Sequence, residues 1–449
     1  MKNSFHLYNY NSPVHFIFAQ HYYIIKQHEK DILALSLITG LVYIEAQDNA
    51  IKTTELNLGK DYLKIAAPIA KEIGNNTIIG LGEGTHGTKE FNEIRAAISK
   101  NLITKQHFSI ISFESPYGDM FYLNKAVNSD TDLKSAMKQY LLSIWQTKEI
   151  EEFLLWVRNY NKKNKNQILL TGADFNFVSN SVKILENEFK DNSTLKVLIV
   201  DLLAKAKYQD DMWSKRNDKN FRVDMPAVIK NGTQAYELAS NIEETVNKDN
   251  ISISTEAKLA LQNIKLGFKV MYEASKQNYD ISRDQMMAEM VTKTHQLYDN
   301  KKVIVIAHNG HIAFTFPFSD DLGMGGYLKK QFGEKYYSLA TLTASGTYSA
   351  TLDNTDTNDN KYQAYPLPAP LKDSWQNYFS EFKNENFYLN LRGNNGNPKG
   401  NFSLALWGYF YMDPVKYEKN IYTKKINNLS NYFDGIIFLK KTNASEHLN

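Results

Sequence analysis

Cysteine is absent from the 449-residue chain. Thiol nucleophiles, disulfides and thiolate-bound metals are therefore excluded, and the compartment cannot be read from redox chemistry. Nor is one sign of charge in excess: 52 Lys and Arg face 49 Asp and Glu, for a formal net charge of +3. Without a long basic stripe, nothing points to nucleic acid as a partner. A phosphate-loop signature and a G-x-S-x-G serine elbow are both missing, which removes two common catalytic readings. No internal repeat stands out. What remains is an ordinary globular composition, 43% hydrophobic and 22% charged. It suits a large core, in one domain with insertions or in two domains.

Lys30 and Asp31 precede an apolar run, ILALSLITGLVYI at 32–44, which is followed by Glu45, Ala46 and Gln47. A basic flank, a short apolar stretch and a small residue resemble a secretory signal cleaved after Ala46. The run is too short for a stable membrane span. Its position is unusual, because residues 1–30, rich in aromatics and histidine, come first; a translation start later than Met1 accounts for them. This reading predicts an N-terminal extension over 1–46 and an exported, periplasmic mature chain beginning near Gln47. Without a signal the chain stays cytoplasmic.

Short apolar runs end near Gly82, Glu114, Gly172, His308 and Leu342, and a last one covers 435–440. They are separated by longer segments of helical periodicity, the pattern of buried, mostly parallel strands. The expected fold is α/β, a mostly parallel central sheet flanked by helices, with a large helical insertion. Its first part spans 47–181, the insertion 182–299, and the second part 300–449. DNTDTNDN at 353–360 and the Pro-rich YPLPAP at 365–370 read as a surface excursion. LGMGG at 322–326 reads as a flexible turn before a helix over 327–331.

Four strand ends carry an acid or a histidine: Glu83 with His86, Glu114, Asp174, and His308 with His311. In an open α/β sheet that edge is where ligands bind. Glu83 and His86 sit in GEGTHGTKEF (82–91), a glycine-loosened turn after a strand. In the following helix Phe91, Ile94, Ile98 and Leu102 form an apolar face, and Arg95 falls beside Phe91 and Ile98 on it. A guanidinium facing a core needs a partner, which Glu83 or Glu114 can supply. AHNGHI (307–312) places His308 and His311 on one loop around Asn309. Tyr272, Tyr279, Met286, Met287 and Met290 fit a helix core, or the wall of an apolar cleft. From the residues alone these groups describe a hydrolytic or metal-binding site.

GEGTHGTKEF with its arginine, FESP (113–116), TGADF (171–175), RDQMMAEM (283–290) and VIAHNGHI (305–312) together resemble the erythromycin esterase family. GMGGYL and FDGIIFLKK fit as well, so the likeness covers roughly 58–441. Met290 departs from it, because asparagine is common there. The resemblance implies hydrolysis of a macrolactone or related ester, with no cofactor and no required metal. His86 would be the general base, and Glu83 and Glu114 would orient and polarise the base and its water. Arg95 would hold those carboxylates or bind developing charge. His308, with His311, would stabilise the oxyanion or protonate the leaving alkoxide. Asn309, Asp174 and Arg283 would support substrate or site. The partner would be a small molecule, a macrolide or other lactone, with a role in macrolide resistance.

Two other readings fit the same residues. In one, His86, His308 and His311 with Glu83 or Glu114 hold a metal in a metal-dependent hydrolase. In the other, the chain is an exported, non-catalytic binder of a bulky apolar ligand.

Overall fold

A computed structural model describes residues 51–448 apart from 60, 217, 219, 320, 353–360, 394–397, 409–410 and 420–422. The signal-like segment and the DNTDTNDN loop lie outside the described residues. The strands are β1 (Thr54–Glu55), β2 (Ile78–Glu83), β3 (Ile110–Pro116), β4 (Leu169–Asp174), β5 (Val303–His308), β6 (Tyr336–Ala350), β7 (Gln363–Pro366), β8 (Asn386–Asn390), β9 (Lys399–Ala405), β10 (Thr423–Asn428) and β11 (Gly435–Thr442). The main sheet runs β1-β8-β11-β6-β2-β5-β3-β4, with β7 on β6. Every pair from β11 to β4 is parallel. The antiparallel pairs of this sheet are β1/β8, β8/β11 and β6/β7.

Alternation along the strands sorts side chains to two faces. Ile79 and Leu81 of β2 and Ile304 and Ile306 of β5 share a cluster with Phe91, Ile94, Ile98 and Leu102 of the helix Lys89–Gln106. Val303, Val305 and Ala307 share the opposite cluster with Met324 and Leu328 of the helix Met324–Phe332. The chain leaves β2 toward β3 in one direction and leaves β5 toward β6 in the other. The switch point therefore lies between β2 and β5, and the crevice beyond their carboxyl ends is the natural site.

Between β4 and β5 the chain is helical. The helices are Ser179–Glu188, Ser193–Ser214, Met225–Lys248, Thr255–Ser275 and Arg283–Leu297. Side chains of Asn192, Asp224, Ser254 and Ser282 cap the last four by accepting from backbone N–H groups in the first turn. Their apolar residues join the second cluster, which makes the insertion a layer over that face of the sheet. No helix among the described residues is long and apolar enough to cross a membrane.

Two local expectations change. Gly325 and Gly326 lie inside the helix Met324–Phe332, not in a flexible turn. A Cβ on Gly325 would stand 1.9 Å from the Ile312 carbonyl oxygen, so glycine is required by close packing onto the AHNGHI segment. The Pro-rich excursion begins as a strand: Pro366 pairs with Thr347 at the outer side of β6, an edge position that tolerates proline.

Candidate active site

Glu83 ends β2 and lies opposite His308, the last residue of β5. Counting by twos from Leu81, Glu83 points to the face of the helix Lys89–Gln106, where Arg95 waits. Its Oε1 is 2.6 Å from His86 Nδ1, and its Oε2 accepts from Arg95 Nη2 at 2.7 Å. Arg95 is 2% exposed and Glu83 1%, so this is a buried ion pair. Arg95 also donates to the Phe91 carbonyl and to Asn92 Oδ1, lies over the Trp145 ring at 5.2 Å, and leaves Nη1 unpartnered. Burial lowers its pKa from the usual guanidinium value, against the pull of Glu83 and Glu114.

The turn holding His86 is fixed from three sides. Trp407 N–H donates to the Gly84 carbonyl; Ser349 and Ser445 N–H groups donate to the Gly87 carbonyl. Thr85 and Thr88 hydroxyls bond to each other. His86 stays 7% exposed, with its ring 5.0 Å from that of His308 and edge-on to Trp145 at 5.9 Å.

A second cluster gathers around Glu114. Its Oε1 meets His311 Nε2 at 3.2 Å and Arg283 Nη2 at 3.3 Å, and its Oε2 accepts from the His308 backbone N–H at 3.0 Å. Arg283 Nη2 bonds Asp174 Oδ2 at 2.5 Å, and His311 Nδ1 bonds Asp284 Oδ1 at 2.8 Å. Arg283 and Asp284 occupy the first turn of their helix, behind the Ser282 cap. His311 is pushed up to about 10: burial opposes protonation, but the Glu114 and Asp284 carboxylates outweigh it. Both ring nitrogens then donate, so the 3.1 Å approach of Arg283 Nη1 to Nε2 is a contact of two donors and no hydrogen bond. Burial would raise Glu114, yet His311, Arg283 and His86 hold it well below the usual carboxylate range.

His308 behaves oppositely. Burial and the neighbouring His86 push it down to about 3, so the ring is neutral. Nε2–H donates to the Trp407 carbonyl at 3.1 Å, and Nδ1 accepts from Gly310 N–H at 3.2 Å. Asn309 is fully buried, and both ends of its amide bond the Thr341 backbone, tying the post-β5 loop to β6. Asp174 is enclosed beneath Arg283 and also accepts from Phe175 N–H and Asn176.

All nine residues singled out in the sequence thus meet at one sheet edge. Sequence reasoning missed Asp284, Asn92, Trp145 and the Trp407 carbonyl. Asp284 was findable as an acid in a helix first turn beside Arg283; the others leave no spacing signal. Met286, Met287 and Met290 are core residues, Tyr272 stacks on Tyr236 and Tyr279 is exposed. No group of three or more His, Asp or Glu among the described residues is arranged to hold a metal ion. A cavity of about 500 Å³ beside β4, lined by Tyr117, Phe121, Asn187 and Tyr298 among others, contains none of the nine. The more open side of the site is that of Arg283, whose side chain is 25% exposed.

A family model described as erythromycin esterase matches residues 103–442. The chain belongs to the erythromycin esterase family. That makes it an esterase-like hydrolase of a small molecule. The match begins beyond Glu83, His86 and Arg95, whose association rests on the geometry above. An Escherichia coli erythromycin esterase type II is 23% identical over 432 residues, 87% of this chain and 96% of the relative. YbfO of Bacillus subtilis (strain 168), named as a hydrolase, is 25% identical over 67% of this chain and 72% of its own. A solved erythromycin esterase variant in its open conformation has a TM-score of 0.64 at 17% identity, over 88% of this chain and 98% of that one. At that identity the likeness shows the shared fold.

Proposed function

We propose that this member of the erythromycin esterase family hydrolyses a carboxylic ester, a macrolactone or a related bulky lactone, with water activated by His86. The observation that carries the reading is the buried Glu83 carboxylate, 2.6 Å from His86 Nδ1 and anchored by Arg95. Glu83 fixes the tautomer with the proton on Nδ1, so Nε2 is the acceptor for a proton from water. The water oxygen bonds to the ester carbonyl carbon as Nε2 takes its proton, and the carbonyl π pair moves to oxygen. Collapse breaks the acyl C–O bond, and the leaving alkoxide takes the proton back from the His86 imidazolium. The product is the hydroxy acid, substrate plus one water.

Charge on the tetrahedral oxygen needs cationic donors. Arg283, whose Nη1 meets no acceptor among the described residues, supplies one on the open side of the site, and protonated His311, with both nitrogens donating to Asp284 and Glu114, adds its positive charge beside it. His308, neutral and with both nitrogens engaged, lies against the His86 ring and holds Glu114 through its backbone N–H. Protonation of the leaving group from His308 would first require its release from the Trp407 carbonyl.

Mass spectrometry of erythromycin and simpler lactones incubated with the protein tests the reading. A gain of one water is expected, unaffected by a strong chelator. His86→Ala should keep its circular dichroism spectrum and lose roughly 10³-fold in rate. Full activity in that variant would remove His86 as the base, and chelator-sensitive activity restored by zinc would favour the metal-dependent reading.

A further inference from the structure

We infer that Asn92 is a positioning residue for His86, and that residues 443–448 form the strap that holds it. The inference rests on the hydrolase reading above for its kinetic consequence, but not for its structural one. Asn92 lies one turn before Arg95 on the helix Lys89–Gln106, on the same face, and is 2% exposed. Its Oδ1 accepts from the same Nη2 that Arg95 gives to Glu83. Its Nδ2 donates to Ser445 Oγ at 3.1 Å, a residue 353 positions away. A continuous chain of bonds therefore runs from Ser445 through Asn92, Arg95 and Glu83 to His86 Nδ1.

The far end of that chain is firmly seated. Lys89 N–H donates to the Asn443 carbonyl at 2.9 Å, and Asn443 returns two bonds to the Glu90 carboxylate at 2.7 and 2.6 Å. Ser445 N–H donates to the Gly87 carbonyl beside His86. The Glu446 carbonyl accepts from Lys148 N–H and Leu448 N–H donates to the Gln146 carbonyl, both within three residues after Trp145. One segment thus grips the base's turn and the ring that covers Arg95. With Nη1 unpartnered, only Nε and Nη2 fix the guanidinium. Asn92 Oδ1 is the second acceptor on the Nη2 that holds Glu83, so it helps set where Glu83 meets His86.

The test uses the full chain with Asn92→Ala, Asn92→Asp and Ser445→Ala, each checked for folding by circular dichroism. Two readouts are needed. The first is kcat and KM on an ester the wild type hydrolyses. The second, independent of activity, is the low-field proton NMR resonance of His86 Nδ1–H, assigned by its loss in His86→Gln. Asn92→Ala should lower kcat on the order of tenfold with KM unchanged, and move the resonance upfield. Asn92→Asp, which keeps an acceptor for Arg95, should recover most of that kcat. Ser445→Ala should give a smaller change in the same direction, and it carries the test if Asn92→Ala does not fold. A folded Asn92→Ala protein with an unmoved resonance overturns the inference, as does Ser445→Ala with both readouts at wild-type values. If no ester is hydrolysed, the hydrolase reading fails while the resonance still decides the positioning.

Discussion

His308 and His311 stand three residues apart and are driven in opposite directions, because one faces a second imidazole and the other sits between two carboxylates. The sign of each shift sets a pH window for stability. Unfolded, His308 takes a proton below its ordinary 6.5, but folded it resists until about 3, so stability falls as pH drops from 6.5 toward 3. His311 keeps its proton when folded until about 10, so its contribution is complete below 6.5 and is lost as pH rises to about 10. Both contributions are complete near pH 6.5. In urea titrations His311→Gln should flatten the decline between pH 6.5 and 10; equal slopes in both proteins would contradict the assignment. The types of residue at the site were legible in the sequence, since histidines and acids ending apolar runs have few structural uses. Their division of labour was not. Which imidazole is charged depends on Asp284, on the Trp407 carbonyl and on the side of the sheet each ring faces, none of which a spacing records.

At the level of elements, the parallel strands were readable because strands buried on both faces must be apolar throughout: β5 begins and ends where its run does. β6 extends well beyond its apolar run because its later positions are mainly Thr, Ser and Gly, and β7 and β10 escaped notice because their exposed positions erase the signal. The turn between β2 and the helix Lys89–Gln106 is more demanding than its sequence suggests. Gly87 has φ of 92°, and a Cβ there would lie 2.2 Å from the Ser349 carbonyl oxygen. That contact is backbone, so it cannot move aside without breaking the bonds that Ser349 and Ser445 make to the same peptide. Gly87→Ala should cost about 1–3 kcal/mol or more of stability by denaturant titration and reduce hydrolysis through displacement of His86. Wild-type stability and rate in this variant would mean that the turn has slack the geometry does not show.

For the whole molecule, the sequence reads as one α/β domain in two parts, 47–181 and 300–449, with a helical insertion at 182–299 between them. The core argues for interdependence. Ile199, Leu202, Ile264, Phe268 and Met287 of the helical layer share one buried cluster with Val303, Val305 and Tyr336 of the sheet. The helix Arg283–Leu297 supplies Arg283 and Asp284 to the site from its first turn while its methionines are buried. Removed from the sheet, the five helices would expose that apolar surface and leave Arg283 without Glu114 and Asp174. Helix propensity and caps would survive the separation; the packing that fixes one arrangement would not. Residues 182–299 expressed alone are therefore expected to be helical by circular dichroism, to bind a hydrophobic dye, and to melt without a cooperative transition. A sharp melt with well-dispersed NMR signals would show instead that the helical layer folds independently and docks afterwards, and the site would then be an interface between two preformed bodies.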